Sequence, residues 1–374
     1  MALNSAQLIG TGLLDGFRNR IINGDMRIDQ RNAVATADNA YTVDRWQLGR
    51  VTTGAVQCAQ SQDSPTGFGT SLLFDVTTAD TSIAAGEYGV LTQYIEGLNT
   101  SDLSWGTAAA QTVTLSFWVK STTTGTYCAA FRNSALNRSY VATYSVASAN
   151  TWEYKTITVP GDTTGTWLST NGAGIIVTFT FAVGSTYQTT AGAWQAGNFL
   201  GTSAQVNLLA ATTNEIRISG VQLEKGSVAT EFERRSYGQE LAFCLRYFYR
   251  FGEGTVWSAG STSGSGGNAF FRAFSFQWPV QMRATPSLTY ASNGSATGGT
   301  IGYMAGSVGG GTVIVGDAAG GSGATALNSV NVGSKGLVRV GLGDYNVITW
   351  GGTTPPQGAN YGCTTDFLNA SAEL

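Results

Sequence analysis

Val113-Thr114-Leu115-Ser116-Phe117-Trp118-Val119-Lys120 decides the fold class. Val113, Leu115, Phe117 and Val119 fall on one side, and Thr114, Ser116, Trp118 and Lys120 on the other. That is the two-residue period of a strand with one buried face. Working outward, Tyr154, Thr156, Thr158 and Pro160 oppose Lys155, Ile157 and Val159 in the same way. Ile175-Ile176-Val177-Thr178-Phe179-Thr180-Phe181-Ala182-Val183 is a longer apolar run, as a central strand would have. Ile216, Ile218 and Val221 mark a further strand. Turn signals such as Gly161-Asp162-Thr163-Thr164-Gly165 separate the runs. Recurrent strands without intervening helices predict antiparallel sheets, folded as a sandwich or a barrel.

Composition agrees. Of 374 residues, 42% are hydrophobic, enough for a sizeable core, but only 11% are charged. Typical soluble domains carry about 25% charged residues, so polarity here must come from Thr, Ser, Asn, Gln and Gly. Fifty glycines suit a fold with many turns. Abundant aromatic and β-branched residues argue against disorder. The net charge of −3 argues against nucleic acid, because phosphate binding needs clustered Lys and Arg. No apolar run reaches the ~18 residues of a membrane span. Residues 1–16 lack the charged-then-apolar pattern of a secretory signal.

The chain has no histidine, which removes Ser-His-Asp and Cys-His catalysis and His-liganded zinc. Cys58, Cys128, Cys244 and Cys363 lie far apart, with no C-x-x-C pair, and read as free thiols. No phosphate-cradling G-x-x-x-x-G-K-[ST] loop occurs.

Four segments follow. Residues 1–17 form an N-terminal arm, apolar at Leu8, Ile9, Leu13, Leu14 and Phe17. Residues 18–235 form the sandwich. Residues 236–251 form a connector with a helix, in which Ser236 caps and Gln239 completes a capping box. Residues 252–374 form a second, glycine-rich β domain.

Several stretches carry a resemblance. Arg18-Asn19-Arg20-Ile21-Ile22-Asn23-Gly24-Asp25-Met26-Arg27-Ile28-Asp29-Gln30-Arg31-Asn32, followed by Val43-Asp44-Arg45-Trp46, resembles the opening of a sugar-binding-type β-sandwich. Such sandwiches are found in bacteriophage tail-fibre and receptor-binding proteins. Residues 115–120, 152–160 and 218–227, the last running on to 237, fit the same pattern, so the resemblance covers residues 18–250. Pro279-Val280-Gln281-Met282-Arg283-Ala284-Thr285-Pro286 is similar to a segment of C-terminal domains of phage fibre proteins. The resemblance implies an antiparallel jelly-roll β-sandwich like carbohydrate-binding modules. It also implies a virion protein of the phage tail, assembled in the host cytoplasm as a homo-oligomer, a trimer. Its partners would be other tail or capsid proteins and a host surface polysaccharide. A structural calcium would take oxygens from Asn23, Asp25 and Glu224. Here the family's closing acidic pair is replaced by Ser219-Gly220, and no other cofactor is expected.

Sugar recognition in water lays a pyranose face on an aromatic ring while amides and carboxylates fix the hydroxyls. The aromatic residues in loop-like surroundings are Trp350, Tyr361, Trp105, Trp167 and Trp194, with Trp350 and Tyr361 flanking the turn-rich residues 351–356. Core or interface packing competes for each of them. Trp118 and Trp152 read as sheet-face or core residues, and Trp46 as structural. A glycosidase would need two carboxylates about 5 to 10 Å apart, one in an apolar setting. Asp102, Glu153, Asp162 and Glu215 have apolar or aromatic neighbours, as chance alone would give. The reading is glycan binding without catalysis. A structural capsid or tail decoration protein and a polysaccharide depolymerase are the alternatives.

Overall fold

The computed structural model describes residues 17–250, 279–284, 286 and 371–374, together with the backbone of the strands named below. The residues fall into two compact units that divide between Glu240 and Leu241, with Leu374 counted in the first. The arm at residues 1–16 lies outside the described residues.

The first unit has twelve strands among its described residues. They are β1 (Ala40–Tyr41), β2 (Gln47–Val51), β3 (Ala55–Ser61), β4 (Ser71–Thr78), β5 (Tyr88–Glu96) and β6 (Val113–Ser121). They continue with β7 (Gly125–Arg132), β8 (Arg138–Val146), β9 (Glu153–Val159), β10 (Ala173–Val183), β11 (Trp194–Ala196) and β12 (Glu215–Lys225). One sheet has the order β1-β2-β5-β10-β7-β8-β11 and the other β3-β4-β12-β6-β9. Every ladder is antiparallel. Successive strands keep changing sheets, from β4 to β5, β6 to β7 and β9 to β10, which makes the unit a jelly-roll sandwich.

The inward faces make one core. Phe117 meets Phe179 at 4.9 Å and Tyr144 at 5.0 Å, and Phe74 meets Phe181 at 4.8 Å, all edge to face. The alternation of residues 113–120 holds: Val113, Leu115, Phe117 and Val119 are fully buried. β10 is central, and all eleven of its residues are buried. Ile175, Val177, Phe179 and Phe181 face the core. Residues 184–206 fold back over the other face, where Thr180 Oγ1 donates to Leu200 O at 2.7 Å and Leu200 packs on Val90 and Val183. Burial on both faces is why this segment reads as a continuous apolar run.

Residues 18–31 make no strand, yet much of their backbone is buried. Such backbone must find partners outside a sheet. Asn19 Oδ1 accepts from the amides of Ile21 (2.9 Å) and Leu223 (3.0 Å), and its Nδ2 donates to Val221 O. The Gln93 amide group bonds Ile22 N and O at 2.9 Å each. Asn23 Oδ1 accepts from Ile28 N while its Nδ2 donates to Ile28 O and Asp44 O. Trp46, fully buried, donates its indole N–H to Asn23 O. Glu233 takes the amides of Arg18 and Asn19, and Arg235 bridges Glu233 and Glu240. Gly24 and Gly220 are required: a Cβ on Gly24 would meet Val221 O at 2.1 Å, and Gly220, at φ 60° within a bulge of β12, lies against Phe68.

Helix α1 (Tyr237–Leu245) opens with the expected capping box. Gln239 N donates to Ser236 Oγ at 3.3 Å, and Ser236 N donates to Gln239 Oε1 at 3.2 Å.

In the second unit the strands are β13 (Phe248–Arg250), β14 (Val256–Gly260), β15 (Thr262–Ser263), β16 (Ala269–Phe270), β17 (Phe274–Gln277) and β18 (Ser287–Ala291). They continue with β19 (Val313–Val315), β20 (Thr325–Leu327), β21 (Ser329–Val332), β22 (Leu337–Gly341), β23 (Asn360–Thr364) and β24 (Phe367–Ser371). They pair antiparallel as β13-β24-β18, β14-β23, β15-β16, β17-β22-β21 and β19-β20. Arg283, within the segment 279–286, donates to Ala372 O at 2.7 Å and Glu373 O at 2.8 Å. Cys58 and Cys128 are free and buried, Cys244 is buried, and the Cys363 side chain lies outside the described residues.

Asn23→Ala is expected to destabilise the protein by about 2–4 kcal/mol. It leaves buried backbone groups unpaired, at about 1–3 kcal/mol, and puts alanine at φ 57°, at about 1 kcal/mol. Asn23→Gly should recover the conformational part alone. Urea unfolding of both variants checks this, and a shift within error of wild type would remove the strap from its structural role.

Candidate functional site

The outward side of the seven-stranded sheet carries a set of polar and aromatic groups that strand register brings together. Tyr94 pairs with Ile176, Ile176 with Arg132, Arg132 with Ser139 and Ser139 with Gln195, which gives one row across β5, β10, β7, β8 and β11. The next row runs Gln47, Thr92, Thr178, Ala130 and Val141. These positions point away from the core, because Leu91, Val177, Ala129 and Phe131 between them point into it.

Arg132 is the centre of the set. It is 7% exposed. Nη1 donates to Asn198 Oδ1 at 2.8 Å, and Nη2 donates to Thr178 Oγ1 at 2.9 Å. Thr178 in turn shares a hydrogen bond of 3.1 Å with Thr92. Nε is buried without a partner, and no described carboxylate pairs with the guanidinium. Burial lowers Arg132 to about 10, while the hydroxyls of Tyr94, Tyr88 and Tyr187 favour its charge. It therefore remains a cation at neutral pH. The three tyrosines are half-buried, and the Tyr88 and Tyr187 rings meet edge to face at 5.3 Å. Burial raises the phenols of Tyr88 and Tyr94, and Arg132 partly offsets this. Ring faces, hydroxyls, amides and a fixed cation can grip a polyhydroxylated ligand.

The aromatic residues marked by sequence lie elsewhere. Trp105, Trp167 and Trp194 are brought into one cluster, edge to face, with centroids 4.7 to 5.3 Å apart, and Tyr140 leans on Trp194. Trp194 sits on β11 rather than in a loop, and Trp105 is buried at 7% exposure. All three indole N–H groups donate to backbone carbonyls, of Gln111, Thr164 and Pro160. The cluster closes one end of the core. Trp350 lies outside the described residues. Tyr361 is on β23 opposite Ala259, a strand rather than a loop, and its side chain lies outside the described residues. On the outward side of the other sheet, Trp118 pairs with Tyr154 at 5.4 Å, and Tyr154 is 45% exposed.

The oxygens considered for calcium are engaged. Asn23 spends both ends of its amide on the strap. Glu224 accepts from Gln222 Nε2, Thr230 N and Thr230 Oγ1. Asp25 pairs with Arg27 at 3.2 Å. These residues do not fit a shared calcium cage. Among the described residues no group of three or more His, Cys, Asp or Glu is placed to hold a metal ion.

The carboxylates considered for hydrolysis are each bound to a cation. Asp102 pairs with Arg20 at 2.9 Å, Glu153 with Lys155 at 2.6 Å, Asp162 with Arg138 through two bonds of 2.7 and 2.8 Å, and Glu215 with Arg217. Burial would raise Glu153 and Asp162, but hydrogen bonds from Lys155 and Arg138 and from nearby amides leave both below their ordinary values. A general acid for glycoside hydrolysis needs the opposite shift. Asp25 is raised by burial, yet its ionised neighbours are Arg27 and Arg234, with no second carboxylate among them. No described helix is long and apolar enough to cross a membrane.

No protein-family model matches the chain, and no curated protein does. Among solved structures it is similar to the enzymatically active domain of tailspike protein 4 of bacteriophage CBA120, with 16% identity over 56% of this chain, 21% of that one, and a TM-score of 0.30. The chain thus spans about a fifth of that tailspike domain's length. It is also similar to a family 4 carbohydrate-binding module, with 14% identity over 55% of this chain, 98% of the module, and a TM-score of 0.30. The family 11 carbohydrate-binding module of a Clostridium thermocellum cellulosomal cellulase gives 11% identity over 53% of this chain, 98% of the module, and a TM-score of 0.27.

Asp162 ties β8 to the loop beneath Trp167, and its pKa lies below the ordinary 3.8. Its contribution is therefore present above the unfolded-state pKa and is lost as pH falls through the lower folded value. Asp162→Asn should cost about 1–3 kcal/mol at pH 7, with the gap to wild type closing below about pH 4. Thermal unfolding at pH 7 and pH 3 checks this, and a gap independent of pH would disprove the linkage.

Proposed function

We propose that this chain is a bacteriophage virion protein, a tail-fibre or receptor-binding subunit that binds host cell-surface polysaccharide without cleaving it. One observation carries the binding reading: the outward row of the seven-stranded sheet, where Tyr94 shares a row with a buried Arg132 tied to Asn198 and Thr178, and Tyr88 and Tyr187 lie on the same outward side. Half-buried rings with unengaged hydroxyls beside fixed polar groups are what a sugar ring needs: a face to stack on and partners for its hydroxyls. The cation-paired carboxylates support binding rather than hydrolysis. The resemblance of residues 18–32 and 43–46 supports the virion role and assembly in the host cytoplasm as a homotrimer beside other tail or capsid proteins. Neither a metal nor a cofactor is needed for this reading.

Retention of the purified protein on immobilised host surface polysaccharide tests it. Tyr94→Ala should weaken single-site binding several-fold, because one aromatic contact contributes about 0.5–1.5 kcal/mol beyond area burial. Tyr154→Ala, on the opposite sheet, should leave binding unchanged. The reverse pattern would move the site to the Trp118–Tyr154 face. Folded protein that binds no host polysaccharide would favour a capsid or tail decoration protein. Release of reducing ends that vanished in Glu153→Gln or Asp162→Asn would make the protein a depolymerase.

Three chains should also associate, since weak sites gain ~10²–10⁴ in avidity when several engage together. Light scattering that gave a monomer at micromolar concentration would overturn the trimer.

A further inference from the structure

A buried guanidinium is costly unless its charge is compensated. Elsewhere in the first unit, arginines that approach carboxylates pair with them, as Arg138 does with Asp162 and Arg235 with Glu233 and Glu240. Arg132 has instead two neutral acceptors, Asn198 Oδ1 and Thr178 Oγ1. Those two bonds use two of the five N–H groups of a guanidinium. Nε is buried and has no partner. The groups that act on its charge are the phenols of Tyr94, Tyr88 and Tyr187. The exposed Asp38 acts on the two tyrosines of β5 from the margin, with its Oδ1 accepting from Arg50 N. The site thus holds a preformed positive charge with one unpartnered donor, Nε, and no carboxylate paired to it among the described residues.

We infer that the outward sheet face at Arg132 takes an acidic saccharide, whose sugar carboxylate docks on the guanidinium of Arg132 while its ring lies against the tyrosines. This rests on the glycan-binding reading and narrows its ligand class. A carboxylate fits because one anionic fork meets one cationic fork, with charge-assisted bonds at both oxygens. A phosphodiester or sulfate cluster would call for further cations, and Arg132 is the cation that acts on Tyr88 and Tyr94. A sugar, rather than an acidic peptide, fits the half-buried neutral amide of Gln195 in the same row.

The full chain should be titrated against polygalacturonate, hyaluronan and colominic acid, each paired with its methyl-esterified or carboxyl-reduced form. Neutral dextran and galactan, and polyglutamate, complete the panel. At least one acidic polysaccharide should bind about tenfold more tightly than its neutralised form, the ratio expected for one charge-assisted contact. Arg132→Gln, which removes the charge and keeps a polar amide, should abolish that ratio, and Arg132→Lys should keep part of it. The comparison of paired ligands uses wild-type protein, so it decides the matter even if a variant fails to fold.

Equal binding of the acidic and neutralised forms, or binding of dextran or galactan alone, would overturn the acidic ligand and leave glycan binding standing. Binding of polyglutamate as tight as that of the polysaccharides would replace the sugar with an acidic peptide. No binding to any polysaccharide would remove both readings. A preserved ratio in a folded Arg132→Gln variant would place the anion elsewhere.

Discussion

The first unit depends on burying a stretch of backbone that forms no sheet. Residues 18–28 have irregular geometry, and only part of their backbone pairs with a strand, Arg20 N donating to Leu223 O and Gly24 O accepting from Val221 N. Side chains do the work a ladder would otherwise do. Asn19, Asn23 and Gln93 each offer a donor and an acceptor, so one amide group can satisfy two backbone groups of opposite kind. Glu233 and the Arg235–Glu240 pair then fasten the start of the unit to its end, across more than two hundred residues. Removing any of these leaves a buried polar group unmatched, which costs more than a hydrogen bond contributes when made.

This separates what makes the chain resemble a family from what would make it act. The residues that carry the resemblance, Asn19, Asn23, Gly24, Asp44 and Trp46, all hold the strap. Trp46 is sealed in the core and donates to Asn23 O, and Asp44 pairs with Arg31 at 3.3 Å. None reaches the outward row at Arg132. Such a motif can persist while the binding face changes, because fold and site draw on different residues.

The strands were legible because burial writes itself into the sequence with period two. Residues 113–120 alternate because one face meets the core and the other does not, and residues 175–183 fail to alternate because residues 184–206 cover their outward face. The capping box of α1 was legible because it is local, a matter of three residues. The candidate site was not. Tyr94, Arg132 and Tyr187 are about 40 to 55 positions apart, and each alone reads as an ordinary strand or loop residue. The register of β5, β10 and β7 sets Tyr94 and Arg132 in one row, and Tyr187 comes from the covering segment that follows β10. The tryptophans are the converse case. Glycine, serine and threonine neighbours suggested loops around Trp105, Trp167 and Trp194, but Trp194 lies on β11, and the three indoles pack together and donate their N–H groups to backbone carbonyls.

The covering segment links these observations. It buries Tyr187, Phe199 and Leu200 on an outward sheet face and so makes apolar residues there stable. The same segment carries Asn198 to Arg132. A cation so placed is held in one orientation, since its Nη atoms are fixed by Asn198 and Thr178. Replacing a buried charge with an apolar residue of similar size is often neutral or stabilising. An arginine held there, oriented by neutral acceptors that leave its charge uncancelled, is therefore poorly explained by stability and well explained by an anion that arrives from outside. A carboxylate of the protein's own would quiet the site and fill it at once, whereas asparagine and threonine orient the guanidinium and leave its charge for the ligand.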